Sequence, residues 1–492
     1  MLYLLLVIHL LTALVCLAPL QQRQWETIHV LGTLLSGSVA LYSAITALEV
    51  ETTVNLHRFL VIDRLSAVFV LIIGLVGTLC SLYTVHYLRR DVASGELAER
   101  RVGWFFSLLH IFMGTMYLAV LADNLGVMWV AIEGTTIASA LLVSFYGHKA
   151  ALEAAWKYII ICTVGIAFAM FGIILTFYAA RGIIGNEEFT LSWHYLYPFA
   201  ASLDPSLMKL AFIFVLVGYG TKAGLFPLHT WLPDAHSQAP SPVSALLSGV
   251  LLNCAIYAIL RFHLLTSMAV GTNYSGKLLI VFGLLSMVGA LPFILVQKDI
   301  KRLLAYSSVE HVGIIALGFG LGGAVGYTGA VLHLVNHALG KSALFLSAGT
   351  ITQEYKSKLM PKMQGIGQML PITSAIFMAG LLAIGGAPPF GLFISELKVA
   401  SRGFQEYGVS LGIVFLLAVA IVFTGLIYFG GRMYFSDLPS RFAKTESFTP
   451  YHILIILPVV ILIFLGTYMP ESLRNLLTNV VQYIMTGGGL VG

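Results

Sequence analysis

Fourteen apolar runs, each long enough to cross a bilayer as helix, follow one another down this chain and leave it few folds to choose from. They fall near 2–20, 28–48, 61–88, 104–121, 125–146, 154–179, 207–230, 242–262, 276–297, 303–321, 326–350, 371–400, 408–434 and 451–470. About 20 apolar residues in helical form span the roughly 30 Å of hydrocarbon. No water reaches the backbone at that depth, so runs of this kind cross as α-helices. Composition agrees: 58% of residues are hydrophobic and 10% charged, against about 25% charged in a soluble domain, and the mean hydropathy is +0.91. The expected fold is an all-α polytopic membrane protein. Its first run lacks the basic leader of a secretory signal and is read as the first helix.

Cys16, Cys80, Cys162 and Cys254 stand singly in separate runs with no C-x-x-C. A thiolate-held iron–sulfur or nickel centre needs paired ligands, so no cofactor is expected in this chain. If successive loops alternate sides, fifteen loop cations, including Arg89, Arg90, Arg441 and Lys444, share one side, and nine, including Arg58 and Arg261, the other. The positive-inside rule makes the first side cytoplasmic and puts both termini outside.

Three of the 27 basic residues remain, and all fall inside apolar runs: Lys157, Lys222 and Lys341. A charge at the bilayer centre costs roughly 2.5 to 3.5 kcal/mol even on insertion scales, so it faces a partner or a wetted path. Lys157 lies one turn into its run and can snorkel. Among the acids, Glu133 sits in the middle of LGVMWVAIEGTTIASALLV, and Glu310 and Glu396 lie in or beside apolar runs. A buried carboxylate beside a buried lysine can pass a proton to it. In HLVNHALGK, His333, His337 and Lys341 recur at every fourth residue, within an arc of about 80° on one helix face. Imidazole titrates near neutrality and suits the middle of a proton relay. The H-x-x-x-H spacing also fits zinc, but HLVNH lacks the general-base Glu of a zincin, and no metal is expected. GFGLGG at 318–323 fits a dinucleotide fingerprint without the strand that should precede it, and is read as a turn between helices.

Gly and Pro interrupt the seventh run, at LFPLHTWLPDAHSQAPSP, and the twelfth, at AIGGAPPFGLF. Paired broken helices point to a transport site between internal repeats. Glu133 precedes Lys222 by 89 residues and Glu310 precedes Glu396 by 86. This register predicts two inverted five-helix repeats, helices 4–8 over residues 104–262 and helices 9–13 over 276–434. Residues 1–103 hold helices 1–3, and 435–492 hold helix 14 and a tail. Irregular backbone at membrane depth implies a wetted interior, which accounts for Lys222 standing just before the first break.

With Glu133, GTKAGLFPLHTWLPDAHSQAPSPVSALLSG, QKDIKRLLAYSSVEHVG and HLVNHALGKSALF in place, helices 4–13 resemble a known family. It is that of the antiporter-like proton-pumping membrane subunits of respiratory complex I, energy-converting membrane [NiFe] hydrogenases and multisubunit sodium/proton antiporters. The wording around the first break is most similar to the formate hydrogenlyase and hydrogenase-4 type. Helices 1–3 and 14 match only in hydrophobicity, and nothing after helix 14 could form a long lateral helix.

The resemblance implies a proton path through Glu133, Lys222, His333, His337, Lys341 and Glu396, with Glu396 exchanging protons with the outside. Asn253, where some members carry a lysine, is expected to order water. His311, Lys157, Glu310, His229 and His236 are further relay candidates. It also implies a multi-pass subunit of the cell (cytoplasmic or inner) membrane with no catalytic centre of its own. Its partners would be other antiporter-like and small membrane subunits, a peripheral hydrogenase or dehydrogenase arm, and lipid, with no nucleic acid. The alternatives are a sodium/proton antiport module without a redox partner and a stand-alone secondary transporter.

Overall fold

In a computed structural model, which describes residues 1–49, 54–56, 59–185, 187–439 and 446–486, the apolar runs become helices. In order they are α1 (Leu2–Cys16), α2 (Gln22–Glu49), α3 (Arg64–Ala93), α4 (Val102–Leu121), α5 (Leu125–Val143), α6 (Lys149–Ala180) and the short α7 (Trp193–Leu196). Then come α8 (Pro205–Ala223), α9 (Leu232–Gln238), α10 (Ser241–Leu246), α11 (Leu252–Val270), α12 (Thr272–Leu295), α13 (Ile300–Leu321) and α14 (Gly323–Tyr355). The chain closes with α15 (Ile366–Met369), α16 (Pro371–Ile384), α17 (Gly391–Phe435), α18 (Tyr451–Thr467) and α19 (Glu471–Thr486). A small antiparallel hairpin of β1 (Val54–Leu56) and β2 (Leu60–Ile62) joins α2 to α3. The loop cations Arg58, Arg441 and Lys444 lie outside the described residues.

Among the described residues ten helices are long and apolar enough to cross a membrane, or eleven if α18 and α19, bent by 84°, form one span. α19 was not anticipated, because its apolar residues alternate with polar ones and no run forms. It folds back so that the Tyr483 hydroxyl donates to Asp63 at 2.7 Å. The twelfth run divides into α16 and the start of α17, and α17 continues through the thirteenth, its 45 residues containing a non-helical Gly408.

Both interruptions are real breaks. α8 ends at Gly224, which takes φ +79°, and the next helical turn starts at Leu232. The freed backbone groups find protein partners, as burial at membrane depth requires. Trp231 Nε1 donates to the Thr221 carbonyl at 2.8 Å, Phe226 N donates to Ser286 Oγ at 2.9 Å, and Lys301 donates to the Ala239 carbonyl. α16 stops at Ile384 and α17 starts at Gly391, with Gly386 at φ +75° between them.

α14 lies at the centre of the bundle, against α13, α16, α17, α18 and α3. The segment from Ser241 of α10 to Thr266 of α11 is buried throughout. It contains one π-turn, Leu247–Leu251, where Gly249 meets the Ala338 backbone of α14. Within GFGLGG only Gly322 and Gly323 form the turn. Gly318 and Gly320 belong to α13, where a Cβ on Gly320 would strike the Gly276 carbonyl at 2.7 Å. The glycines therefore bring α12 and α13 into backbone contact, as small residues do in membranes.

Candidate functional site

Lys222 occupies the last turn of α8, where the helix's carbonyl end favours a cation, and is fully buried. Its ammonium donates to Tyr158 Oη at 2.6 Å and to Thr136 Oγ1 at 2.8 Å, and lies 4.7 Å above the Tyr158 ring. Tyr158 bonds Ser139 at 2.7 Å and stacks on Trp231 from the break at 4.5 Å. The expected contact between Glu133 and Lys222 is indirect. Thr136 stands between them and donates to Glu133 Oε2 at 3.3 Å, while Thr163 donates to Oε1 at 2.8 Å. Glu133 is also half-buried rather than sealed in, because its face of α5 turns towards the exposed Thr163.

The second constellation gathers on α13, α14 and α17. His333, His337 and Lys341 are all fully buried, as their shared helix face requires. Lys341 donates to the Leu304 carbonyl at 2.9 Å and to Ser307 Oγ. His311 Nδ1 lies 2.9 Å from His333 Nε2, and His333 Nδ1 lies 2.9 Å from Ser395 Oγ. At the other end of this chain His311 Nε2 faces Glu310 Oε2 at 3.5 Å. Glu396, next to Ser395, presents an oxygen within 4.8 Å of a nitrogen of His311 and of His333. Its carboxylate fits only because residue 386 is glycine: a Cβ there would lie 2.0 Å from Oε2.

This chain has two consistent proton arrangements. With the Ser395 hydroxyl on the Leu392 carbonyl, at 2.8 Å, Ser395 accepts from His333 Nδ1–H. His333 Nε2 then accepts from His311 Nδ1–H, and His311 Nε2 faces Glu310 Oε2 without a hydrogen bond between them. With the hydroxyl turned to His333 Nδ1, both bonds reverse and His311 carries its proton on Nε2, on the side of Glu310. Passage from the first to the second takes one proton onto His311 Nε2, moves one across each bond and releases one from Ser395, so it requires a donor beyond His311 and an acceptor beyond Ser395. The His311–His333 and His333–Ser395 links lie within hydrogen-bond reach.

Between the two lysines the polar groups do not touch. Asn253 Nδ2 donates to Gly249 O at 2.9 Å, capping a carbonyl of the π-turn, and leaves Oδ1 unpartnered. Both ring nitrogens of His236 and of His337 are buried without a partner, as is Nδ1 of His229. Buried polar atoms of this kind are normally completed by water.

The set of interior cations differs from the one expected. Lys157 lies outside the buried chain, about half-exposed and paired with Glu153 at 2.7 Å and Asp234 at 3.4 Å. Arg261, read as a loop cation, is buried, and so is Lys301 at the start of α13. Arg261 pairs with Asp63 at 2.7 Å and packs on Trp193 at 4.3 Å, because these partners converge from distant parts of the sequence.

The sequence reading missed a third cluster. His9, His110 and His29, from α1, α4 and α2, are buried in a chain: His9 Nδ1 lies 2.9 Å from His110 Nδ1, and His110 Nε2 3.0 Å from His29 Nδ1. His29 Nε2 meets the Ser81 carbonyl at 2.9 Å. A carbonyl only accepts, so His29 must donate there, His110 must donate to His29, and His9 to His110. Unlike the Ser395 chain, this one has a single direction and holds its proton pattern fixed. Its only signal was three lone histidines in apolar runs.

Residues 122–424 match the family described as NADH:quinone oxidoreductase/Mrp antiporter, TM. The chain belongs to this family. Residues 50–95 match a second description, NADH-ubiquinone oxidoreductase (complex I), chain 5 N-terminus, so part of the region that seemed alike only in hydrophobicity is family sequence too. A hydrogenase-4 component F homolog from Methylacidiphilum infernorum is 42% identical over 71% of this chain and 73% of its own. One Na(+)/H(+) antiporter component from Alkalihalophilus pseudofirmus is 32% identical over 79% of this chain and 48% of its own, so this family member spans about half of that longer relative. The solved structure of an archaeal membrane-bound sulfane sulfur reductase contains a chain that superposes with TM-score 0.86 at 25% identity, over 98% of this chain and 97% of that one.

Proposed function

We propose that this antiporter-like membrane subunit translocates protons through the two constellations centred on Lys222 and Lys341, with water completing the link past Asn253, His236 and His337. The observation that carries the reading is the His311–His333–Ser395 chain, whose two bonds can reverse together and so pass a proton, with Glu310 facing its His311 end at 3.5 Å. Lys222 stores a proton beside Tyr158, and Glu133 acts on it through Thr136. Glu396, held against the second break, takes or delivers the proton at the far end.

Helix lengths support fourteen spans rather than ten. α17, at about 1.5 Å per residue, is more than twice the hydrocarbon thickness and turns at Gly408, and α8 with α9 and α16 with the start of α17 make broken spans. Helices 4–8 and 9–13 then form the inverted pair, with both termini outside the cytoplasm. The four cysteines are free and stand singly, which supports a chain without a thiolate-held redox centre, so the driving reaction comes from partners: other antiporter-like and small membrane subunits and a peripheral hydrogenase- or dehydrogenase-type arm. Glu133, half-buried on the flank of α5, offers such a neighbour a carboxylate. The sodium/proton antiporter relative supports a second reading in which the coupled ion is sodium.

The test is proton release by vesicles carrying the native complex, with Lys222→Met and Lys341→Met compared with wild type at matched insertion. Loss of translocation in both is expected, and wild-type rates in either sink the route. Release that depends on external sodium would select the second reading.

A further inference from the structure

His311 and His333 aim two nitrogens at each other 2.9 Å apart, with a carboxylate oxygen of Glu396 completing a triangle no wider than 4.8 Å. The proton between the imidazoles occupies a position that a metal ion can take in its place. We propose that His311, His333 and Glu396 bind one divalent cation of the Zn2+ class, and that this ion stops the proton path by replacing the shared proton. The inhibition rests on the proposed route, whereas the binding does not.

Four features fit the chemistry. First, two imidazoles and one carboxylate are the donor set that catalytic zinc sites use, with zinc–nitrogen bonds of about 2.0 to 2.1 Å. Such bonds hold ligand atoms roughly 3.4 Å apart in tetrahedral geometry. The two nitrogens must part by about 0.5 Å, which small ring rotations supply.

Second, one imidazole is already held from behind and the other has a carboxylate facing its free nitrogen. His333 Nδ1 bonds Ser395 Oγ at 2.9 Å, and His311 Nε2 faces Glu310 Oε2 at 3.5 Å. A ligating histidine ordinarily gives its other N–H to such a group, and a carboxylate in this place raises the ligand's basicity.

Third, the charge balances, since Glu310 and Glu396 both lie at this cluster and together neutralise one divalent ion. Fourth, His337, whose ring centroid is 5.3 Å from that of His311, is buried with neither nitrogen partnered, and is placed to supply a fourth ligand. The ligands come from α13, α14 and α17, so the site differs from the His333–His337 pair that the H-x-x-x-H spacing suggests. A nitrogen-rich set selects zinc, cobalt or nickel over magnesium or calcium, which prefer oxygen.

The full chain, purified in detergent and stripped with chelator, would be titrated with Zn2+, Co2+ and Mg2+. The expected result is one Zn2+ or Co2+ per chain, with the visible absorption of a low-coordinate Co2+ site, and no Mg2+. Glu396→Gln and His333→Gln should each weaken Zn2+ binding at least tenfold, while His333→Cys, which keeps a metal ligand, should retain it and add thiolate-to-cobalt absorption. Circular dichroism and gel filtration would confirm that the variants are folded, and His333→Cys serves if the glutamine variants are not. Absence of stoichiometric binding in wild type, or binding unchanged in both glutamine variants, overturns the site.

Vesicle translocation then separates the two claims. Zn2+ that binds as described and halts wild-type translocation supports both. Zn2+ that binds while translocation continues keeps the binding site and overturns its inhibitory role and the route through it. Loss of translocation in His333→Gln with no zinc bound by wild type overturns the site and leaves the route standing.

Discussion

Gly386→Ala should abolish transport while leaving the protein folded. Gly386 sits in the second break at φ +75°, where a Cβ would lie 2.0 Å from Glu396 Oε2 and 2.9 Å from its Cδ. Relief to an ordinary contact of 3.4 Å requires the carboxylate to retreat by roughly 1.4 Å, the difference between 3.4 and 2.0 Å. Its own torsions absorb that movement, so the helices need not shift. The remaining cost is the left-handed backbone, about 1 to 2 kcal/mol for an L residue.

Proton transfer is less forgiving. The donor and acceptor must stay within about 2.6 to 3.2 Å or share one water, and a misplacement of about 1 Å costs on the order of 10²-fold in rate. The assay is proton release by vesicles carrying the native complex, beside the denaturant midpoint of the purified chain. Gly95→Ala is the control. Gly95 has φ +77° and nothing within 4 Å of its hypothetical Cβ, so it carries the same backbone strain without touching the path. Wild-type transport in Gly386→Ala, or an equal loss in Gly95→Ala, would refute the placement of Glu396 on the route.

Three further outcomes follow from the same geometry. Thr136→Val should slow translocation about as much as Glu133→Gln, and less than Lys222→Met, because both of the milder changes cut the bridge to Glu133 but leave the lysine able to titrate; a silent Thr136→Val would show that Glu133 acts by another path. Asp63→Leu should destabilise the chain by about 3 to 5 kcal/mol, since it strands the buried Arg261, and Asp63→Leu with Arg261→Met should recover much of that loss in unfolding midpoint. Nitrogen-15 NMR of histidine-labelled protein should find His29 and His110 protonated at Nε2 and His9 at Nδ1; any other tautomer at His29 contradicts its bond to Ser81.

Hydropathy and punctuation were enough to locate most of the architecture. Whether a segment of about 20 residues can leave water is a sum over its own side chains, and whether a helix stops at Gly224 or between Gly385 and Phe390 is decided by local backbone geometry. Lys222, Lys341 and Glu396 were legible for the same reason: a charge inside an apolar run is conspicuous without any knowledge of its neighbours. The amphipathic α19 was not, because its apolar face exists only once the segment is helical.

What surrounds each charge was settled by the fold. Lys157 and Arg261 exchanged roles because burial depends on which helices pack nearby, and Asp63 reaches Arg261 from nearly two hundred positions away. Thr136 came between Glu133 and Lys222 because it lies one turn along the same helix, on the side facing α8. The reversible chain needs His311, His333 and Ser395 from three helices, and the fixed one needs His9, His29 and His110 from three others. Histidines in apolar runs look alike in sequence. One chain ends on a hydroxyl that can turn and the other on a carbonyl that can only accept, and that difference of partner, fixed by packing across long separations, decides which hydrogen-bond pattern can reverse.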